Sequence, residues 1–421
     1  MIDLSRRRLL QAGAAGLLLP APLLAASGSN DRRFLFVFAR GGWDQAYCFA
    51  PEMLTLPGVS ADPMGRDTTV NDIPFIDSDL RPSVLRFFQD HGDRTCVLNG
   101  IEVRSIAHDM CTRLMMTGTT DPLGDDWAAV LSAKNPVPLD MPHVLVNGPS
   151  FSNLHTSSIV RIGLAGQFNA LLDGSALSAS DLAASPLPDT VEDTVEAYLQ
   201  DRAEASAIAA WPGDEVRFHE NYRKSLAHLE NVRGVSDQLD LSAAENFGEQ
   251  LDLVLACFEQ GLSRCGLVTH DGYQDLGWDS HGANDKQTLH YEELFDYLGQ
   301  LMDALDTRTG PSGRALSEDT VVVVFSEMGR TPYLNGDQGK DHWTFTSAML
   351  VGDGIAGGQA IGGYDENVFG EHVDLASGAT VGEDEGVRLG VGHFGATLLA
   401  LADIDHASYT ADNGPILAAL S

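Results

Sequence analysis

Acidic and imidazole side chains cluster at a few places in this 421-residue chain, each just past an apolar run. Val321 to Phe325 breaks into a polar stretch carrying Glu327, Arg330, Asp341 and His342. Phe34 to Phe38 runs into Arg40-Gly41-Gly42-Trp43-Asp44, and Leu267-Val268-Thr269 leads to Gly277-Trp278-Asp279-Ser280-His281. A fourth place is Arg104-Ser105-Ile106-Ala107-His108-Asp109, ahead of a segment that reads as a helix. Carboxylates mixed with imidazoles suit Zn, Mn, Mg, Ca or Fe. A divalent cation there would polarise a phosphoryl or sulfuryl oxygen and activate a nucleophile. Asp279 and His281, two residues apart, share one side of an extended segment.

Each residue also has a plainer reading. An Asp after two glycines is an ordinary turn residue, and Asp109 in a first helical turn is favoured by the helix dipole. Arg330 either clamps an anionic substrate or pairs with an acid. Asp341 suits a role behind a ligand better than a role as one.

The elements that must position these groups alternate. Strands are expected at Phe34–Phe38, Thr95–Leu98, His143–Val146, Leu267–Thr269, Val321–Phe325 and Ala348–Val351. Helices are expected at Pro82–Asp90, from an N-cap at Ser105 to Gly118, at Asp126–Ala133, Leu289–Leu305 and His393–Leu401. Residues 50–82, rich in Pro, Asp and Gly, read as irregular. Residues 150–262 read as a helical layer or insertion, with helices near 190–209, 214–231 and 242–262. Strands alternating with helices indicate an α/β fold on a mostly parallel sheet. Ligands then bind beyond the carboxyl ends of the strands.

Composition narrows the partners. Asp and Glu number 60 against 26 Lys and Arg, a net charge of −34 that repels nucleic acid and anionic membranes. The five cysteines form no CxxC and read as buried small hydrophobes. Residues 1–27 read as a twin-arginine export signal: Arg6-Arg7-Arg8, a short apolar run and a small-residue cleavage zone. The expected protein is a single domain from residue 28 to 421, exported to the periplasm by the twin-arginine machinery. No later stretch has transmembrane length.

The segments Arg40–Asp44, Gly277–His281, Ser326–Pro332 and Asp341-His342 resemble the exported bacterial family DUF1501, within the alkaline phosphatase/sulfatase-like superfamily. The resemblance implies a three-layer α/β sandwich with two neighbouring metal positions. Asp44 and Glu327 would serve one metal, and Asp279, His281 and His342 the other. The superfamily's nucleophile place falls on His108, near Ser105 and Thr112. Met328 stands where the superfamily has a ligating His, and a thioether is a poor ligand for a hard cation. His108 then replaces that ligand, acts as a general base or acts as a nucleophile. The expected function is a metal-dependent hydrolase of phosphate or sulfate esters, with one or two divalent ions and an anionic small molecule or glycan as substrate. The alternatives are a non-catalytic metal-binding or assembly protein on the same fold, and a phosphomutase-like transferase.

Overall fold

The computed structural model describes residues 31–163, 189–209, 213–236, 239, 244–410 and 413–421. The export signal read at residues 1–27 lies outside them. In chain order the elements are β1 (Arg33–Ala39), β2 (Arg66–Val70), β3 (Ile73–Asp77), α1 (Pro82–His91), β4 (Thr95–Glu102), α2 (His108–Thr117) and α3 (Trp127–Ala133). Then come β5 (His143–Leu145), β6 (Ile159–Arg161), α4 (Asp189–Ala209), α5 (Asp214–Ser236), α6 (Phe247–Glu259), β7 (Cys265–His270) and α7 (Lys286–Thr307). The chain closes with β8 (Thr320–Phe325), β9 (Gly329–Arg330), β10 (His342–Trp343), β11 (Phe345–Gly352), β12 (Gln359–Ile361) and α8 (Val391–Leu401), followed by short pieces.

Eight strands form one mixed sheet in the order β12-β4-β11-β8-β1-β7-β5-β6. Every pairing is parallel except the two made by β11. The fold is therefore α/β with a large, mostly parallel central sheet. Strand alternation divides the core. Leu35 and Val37 of β1 face a cluster with Phe87 of α1, Val254 of α6 and Leu298 of α7. Phe34, Phe36 and Phe38 face the other side, with Met115 of α2, Leu131 of α3 and Leu398 of α8. Both faces are covered, which is why β1, β7 and β8 read as unbroken apolar runs.

Local departures from the sequence reading have physical causes. Residues 50–82 are not wholly irregular, because β2 and β3 form a hairpin. Its two-residue turn, Asn71-Asp72, has φ of 50° and 59°, the left-handed pair that twists a tight hairpin correctly. Helix α2 starts later than expected: Ala107 is the N-cap, and the Ser105 hydroxyl accepts from the Ala107 amide instead of capping the helix. Gly118, at φ 70°, ends α2 as its sequence suggests. In the 150–262 region, α4 packs on α5 while α6 packs on β7, and β6 adds an edge strand. All five cysteines are free and buried. Among the described residues no helix is long and apolar enough to cross a membrane.

The carboxyl ends of β1, β4, β7 and β8 lie on one edge of the sheet, and their loops pack tightly there. Gly41, at φ +122°, has no room for a side chain: a Cβ would lie 2.7 Å from the Asp279 amide nitrogen. Beneath these loops Trp43, Trp278 and Tyr291 are fully buried against one another. The Trp43 indole N–H donates to Thr346 Oγ1 at 3.0 Å. Gly41→Ala is expected to cost about 1–3 kcal/mol from backbone strain and overpacking. It should appear as a lower urea midpoint at unchanged m-value.

Candidate metal centre

Three histidines meet at that edge. His108 is the first residue of α2, His281 follows β7, and His342 opens β10, which pairs with β9 just past β8. Each ring is held through Nδ1 by a group that only accepts. His108 Nδ1 lies 2.8 Å from Glu327 Oε1, His281 Nδ1 3.1 Å from Asp341 Oδ1, and His342 Nδ1 2.6 Å from the Ile106 carbonyl. Such partners fix the proton on Nδ1 and leave Nε2 with a bare lone pair in the neutral ring.

The three Nε2 atoms converge on Asp279. His281 Nε2 and His342 Nε2 lie 3.3 and 3.6 Å from Asp279 Oδ1, and His108 Nε2 lies 3.5 Å from Oδ2. His281 Nε2 and His342 Nε2 are 2.9 Å apart. His108 Nε2 is buried without a hydrogen-bond partner. Two facing lone pairs at such a distance require a shared cation, proton or metal. Ligands at about 2.1 Å from a tetrahedral ion sit about 3.4 Å from one another, close to these separations. His108, Asp279 and His342 each offer an atom within 4.8 Å of the others, and His281 adds a fourth donor. Three imidazoles and one carboxylate form a set that suits Zn²⁺ and also accommodates Mn²⁺ or Fe²⁺.

The other residues singled out from the sequence are placed differently. Glu327 is fully buried, and its carboxylate receives the Gly41 amide at 2.9 Å as well as His108. It positions a histidine from behind. Asp341 does the same for His281 and also accepts from Asn335. Asp44 is away from the histidines, fully buried, with Oδ2 2.7 Å from both Lys340 Nζ and Asn284 Nδ2. The Lys340 ammonium thus occupies the cation's place at the carboxylate expected to bind a first metal. Among the described residues one group of candidate metal ligands, His108, Asp279 and His342, gathers at this edge, where the resemblance implied two neighbouring positions.

Arg330 is fully buried too. It donates to the carbonyls of Gly41, Gly42 and Lys340, and Nη2 lies 2.8 Å from Asp279 Oδ1. Those contacts leave it to hold Asp279, not a substrate. Ser105 lies outside the cluster, at the start of the α2 turn. Asp109 lines a cavity of about 590 Å³ beside it, together with Arg40, His108, Thr112, Arg113, Phe151 and Glu327. A smaller cavity of about 330 Å³ is lined by Arg40, Gly41, Asp271 and Asp279. Sequence reasoning missed Lys340, Asn284 and the Ile106 carbonyl. A lysine inside the acid-rich run Gly336 to His342 was the one signal for the first.

The electrostatics follow the geometry. The carboxylates of Asp279 and Glu327 raise His108 to about 9. Burial pushes the Asp279 carboxyl up, but the nearby His108 imidazole and the charge of Arg330 outweigh it and hold the group below the usual carboxylate range. Burial lowers His342. In the metal-free protein, His108 titrates higher folded than its ordinary value of 6.5. Its contribution to stability is fully present below pH 6.5 and lost as pH rises through about 9. The melting temperature of chelator-treated protein should therefore fall across that window, and His108→Gln should flatten the fall.

Residues 236–415 match the family model described as "Protein of unknown function (DUF1501)". No curated protein matches the chain. Among solved structures it is similar to the lipoteichoic acid synthase LtaP from Listeria monocytogenes, at 9% identity and TM-score 0.40, over 93% of this chain and 77% of that one. It is similar to a protein in the alkaline phosphatase superfamily from Vibrio parahaemolyticus, at 8% identity and TM-score 0.38, over 89% and 67%. A third is the phosphonate monoester hydrolase of Agrobacterium radiobacter, at 11% identity and TM-score 0.34, over 89% and 74%. At such identities and scores none of the three carries a functional assignment to this chain. The resemblance to DUF1501 is shown over residues 236–415, which hold the segments Gly277–His281, Ser326–Pro332 and Asp341-His342; Arg40–Asp44 lies outside the match.

Proposed function

We propose that the chain is an exported, metal-dependent hydrolase of phosphate or sulfate esters, working with one divalent ion. One observation carries this: the Nε2 atoms of His108, His281 and His342 converge on Asp279, and His108 among them lines a cavity large enough for a ring-bearing ester. The ion would supply Lewis acidity toward an ester oxygen and lower the pKa of a bound water. The chain's own residues do the rest. Glu327, Asp341 and the Ile106 carbonyl aim the rings, and Arg330 fixes Asp279. Asp109, exposed at the cavity wall, would accept the proton that water gives up. Water adds to phosphorus or sulfur, the bond to the ester oxygen breaks, and the alcohol leaves with one proton.

A second reading, a non-catalytic metal-binding protein, is favoured by one feature. Among the described residues Thr112 is the only hydroxyl side chain lining the larger cavity, and Arg330 is committed to the protein. The two readings part in one experiment. Purified mature protein would be loaded with Zn²⁺, Mn²⁺, Mg²⁺ or Ca²⁺ and given aryl phosphates and aryl sulfates. Turnover is expected with at least one metal, and Asp279→Ala or His342→Ala should lower kcat/KM by roughly 100-fold or more. Metal that raises the melting temperature without turnover would leave the second reading standing. Metal with no effect on either would defeat both.

The arginines ahead of the first apolar run support export through the twin-arginine route to the periplasm. Replacing Arg6 and Arg7 by Lys is expected to hold the protein in the cytoplasmic fraction. Undiminished periplasmic recovery of that variant would remove the assignment.

A further inference from the structure

One side chain of the larger cavity has no task in the reaction above. Arg113 lies on α2, five residues after His108, and lines the same cavity. Its guanidinium carbon sits 4.4 Å from the centroid of the Phe151 ring. It donates one hydrogen bond, to the Asp121 carbonyl at 3.3 Å. Among the described residues it makes no ion pair.

The chain has more than twice as many acidic as basic residues. Several arginines find carboxylates, as Arg94 does with Asp306 and Arg33 with Asp319, while Arg388 lies over the Phe369 ring and donates to the Gly370 carbonyl, outside this cavity. Asp109 even stands four residues back on the same helix, the spacing at which such pairs form readily, and lines the same cavity. Stacking on Phe151 holds the guanidinium in place without neutralising it. A stacked guanidinium keeps its in-plane donors for an incoming anion.

We propose that Arg113 and Phe151 form a second anion subsite, so that the preferred esters carry a further anionic group on the ring of the alcohol. The ring would pass between the metal cluster and Arg113. His108 and Arg113 both line this cavity of about 590 Å³, which gives room for a six-membered ring beside each of them. The reacting end of the ester is located by the hydrolase reading, on which this inference rests. Arg40, the other guanidinium in the cavity, is paired with Asp271 at 2.7 Å and does not compete.

The test uses two probes that resist hydrolysis, phenylphosphonate and 4-carboxyphenylphosphonate, titrated calorimetrically into metal-loaded protein. The carboxylated probe is expected to bind at least about tenfold tighter. Arg113→Gln should erase that preference while leaving phenylphosphonate affinity and metal content unchanged, and Phe151→Leu should weaken it. Equal affinities in the wild type, a preference that survives Arg113→Gln, or no binding of either probe would overturn the subsite. The hydrolase reading is judged separately, by turnover. A preference without turnover sinks that reading and keeps the subsite, and turnover without a preference does the reverse.

Discussion

The guanidinium of Arg330 is the point on which the site depends. It is fully buried and reaches the carbonyls of Gly41 and Gly42 after β1, Lys340 in the loop before β10, and the carboxylate of Asp279 after β7. Three loops from three strands are thereby held by one planar, permanently charged group whose fork matches oxygen acceptors. A lysine could not serve there, because a single ammonium cannot address four oxygens spread over three chain segments. Gly41 and Gly42 are needed for the same reason: only a backbone without side chains lets those carbonyls approach so closely.

A second buried charge stands next to this one. Lys340 and Asp44 are both fully buried and 2.7 Å apart. Such a pair is costly to desolvate and is tolerated where further hydrogen bonds complete it. Asn284 and the Ala46 amide do so for Asp44, whose backbone also meets Gln287 and Tyr291. The network spends on structure a carboxylate that would otherwise suit a cation. It also ties the β1 loop to the start of α7. Chemistry at this edge is thus concentrated at the three histidines, over a rigid base.

The strands were legible because they are buried on both faces. β1 and β8 are continuous apolar runs in the sequence, and a sheet covered on both sides demands that. The convergence of His108, Asp279, His281 and His342 on one edge was legible for a related reason, since the carboxyl ends of parallel strands lie together. What was not legible is direction. Asp44 facing Lys340 and Asp44 facing a metal look the same in sequence. Arg330 was open between a substrate and an acid, and only the packing of Gly41 and Gly42 against it decides for the acid. The hairpin at Arg66–Asp77 was missed because Pro, Asp and Gly around it masked the Asn71-Asp72 turn.

Met328 joins these strands of argument. In sequence it stands where a ligand is missing. In the structure its side chain is fully buried with Val103, Cys111 and Leu114. Two of those partners belong to α2, so the thioether fastens the first turns of α2 against the end of β8. That contact brings His108, the first residue of α2, to within 2.8 Å of Glu327, the residue directly before Met328. The position therefore supplies packing where a ligating residue was expected, and the packing delivers a histidine from another element. Under the proposed function, a metal set completed from α2 rather than from the β8 loop would be sensitive to how that helix docks. The same helix carries Arg113 to the cavity wall, so one docking contact sets where both His108 and Arg113 stand.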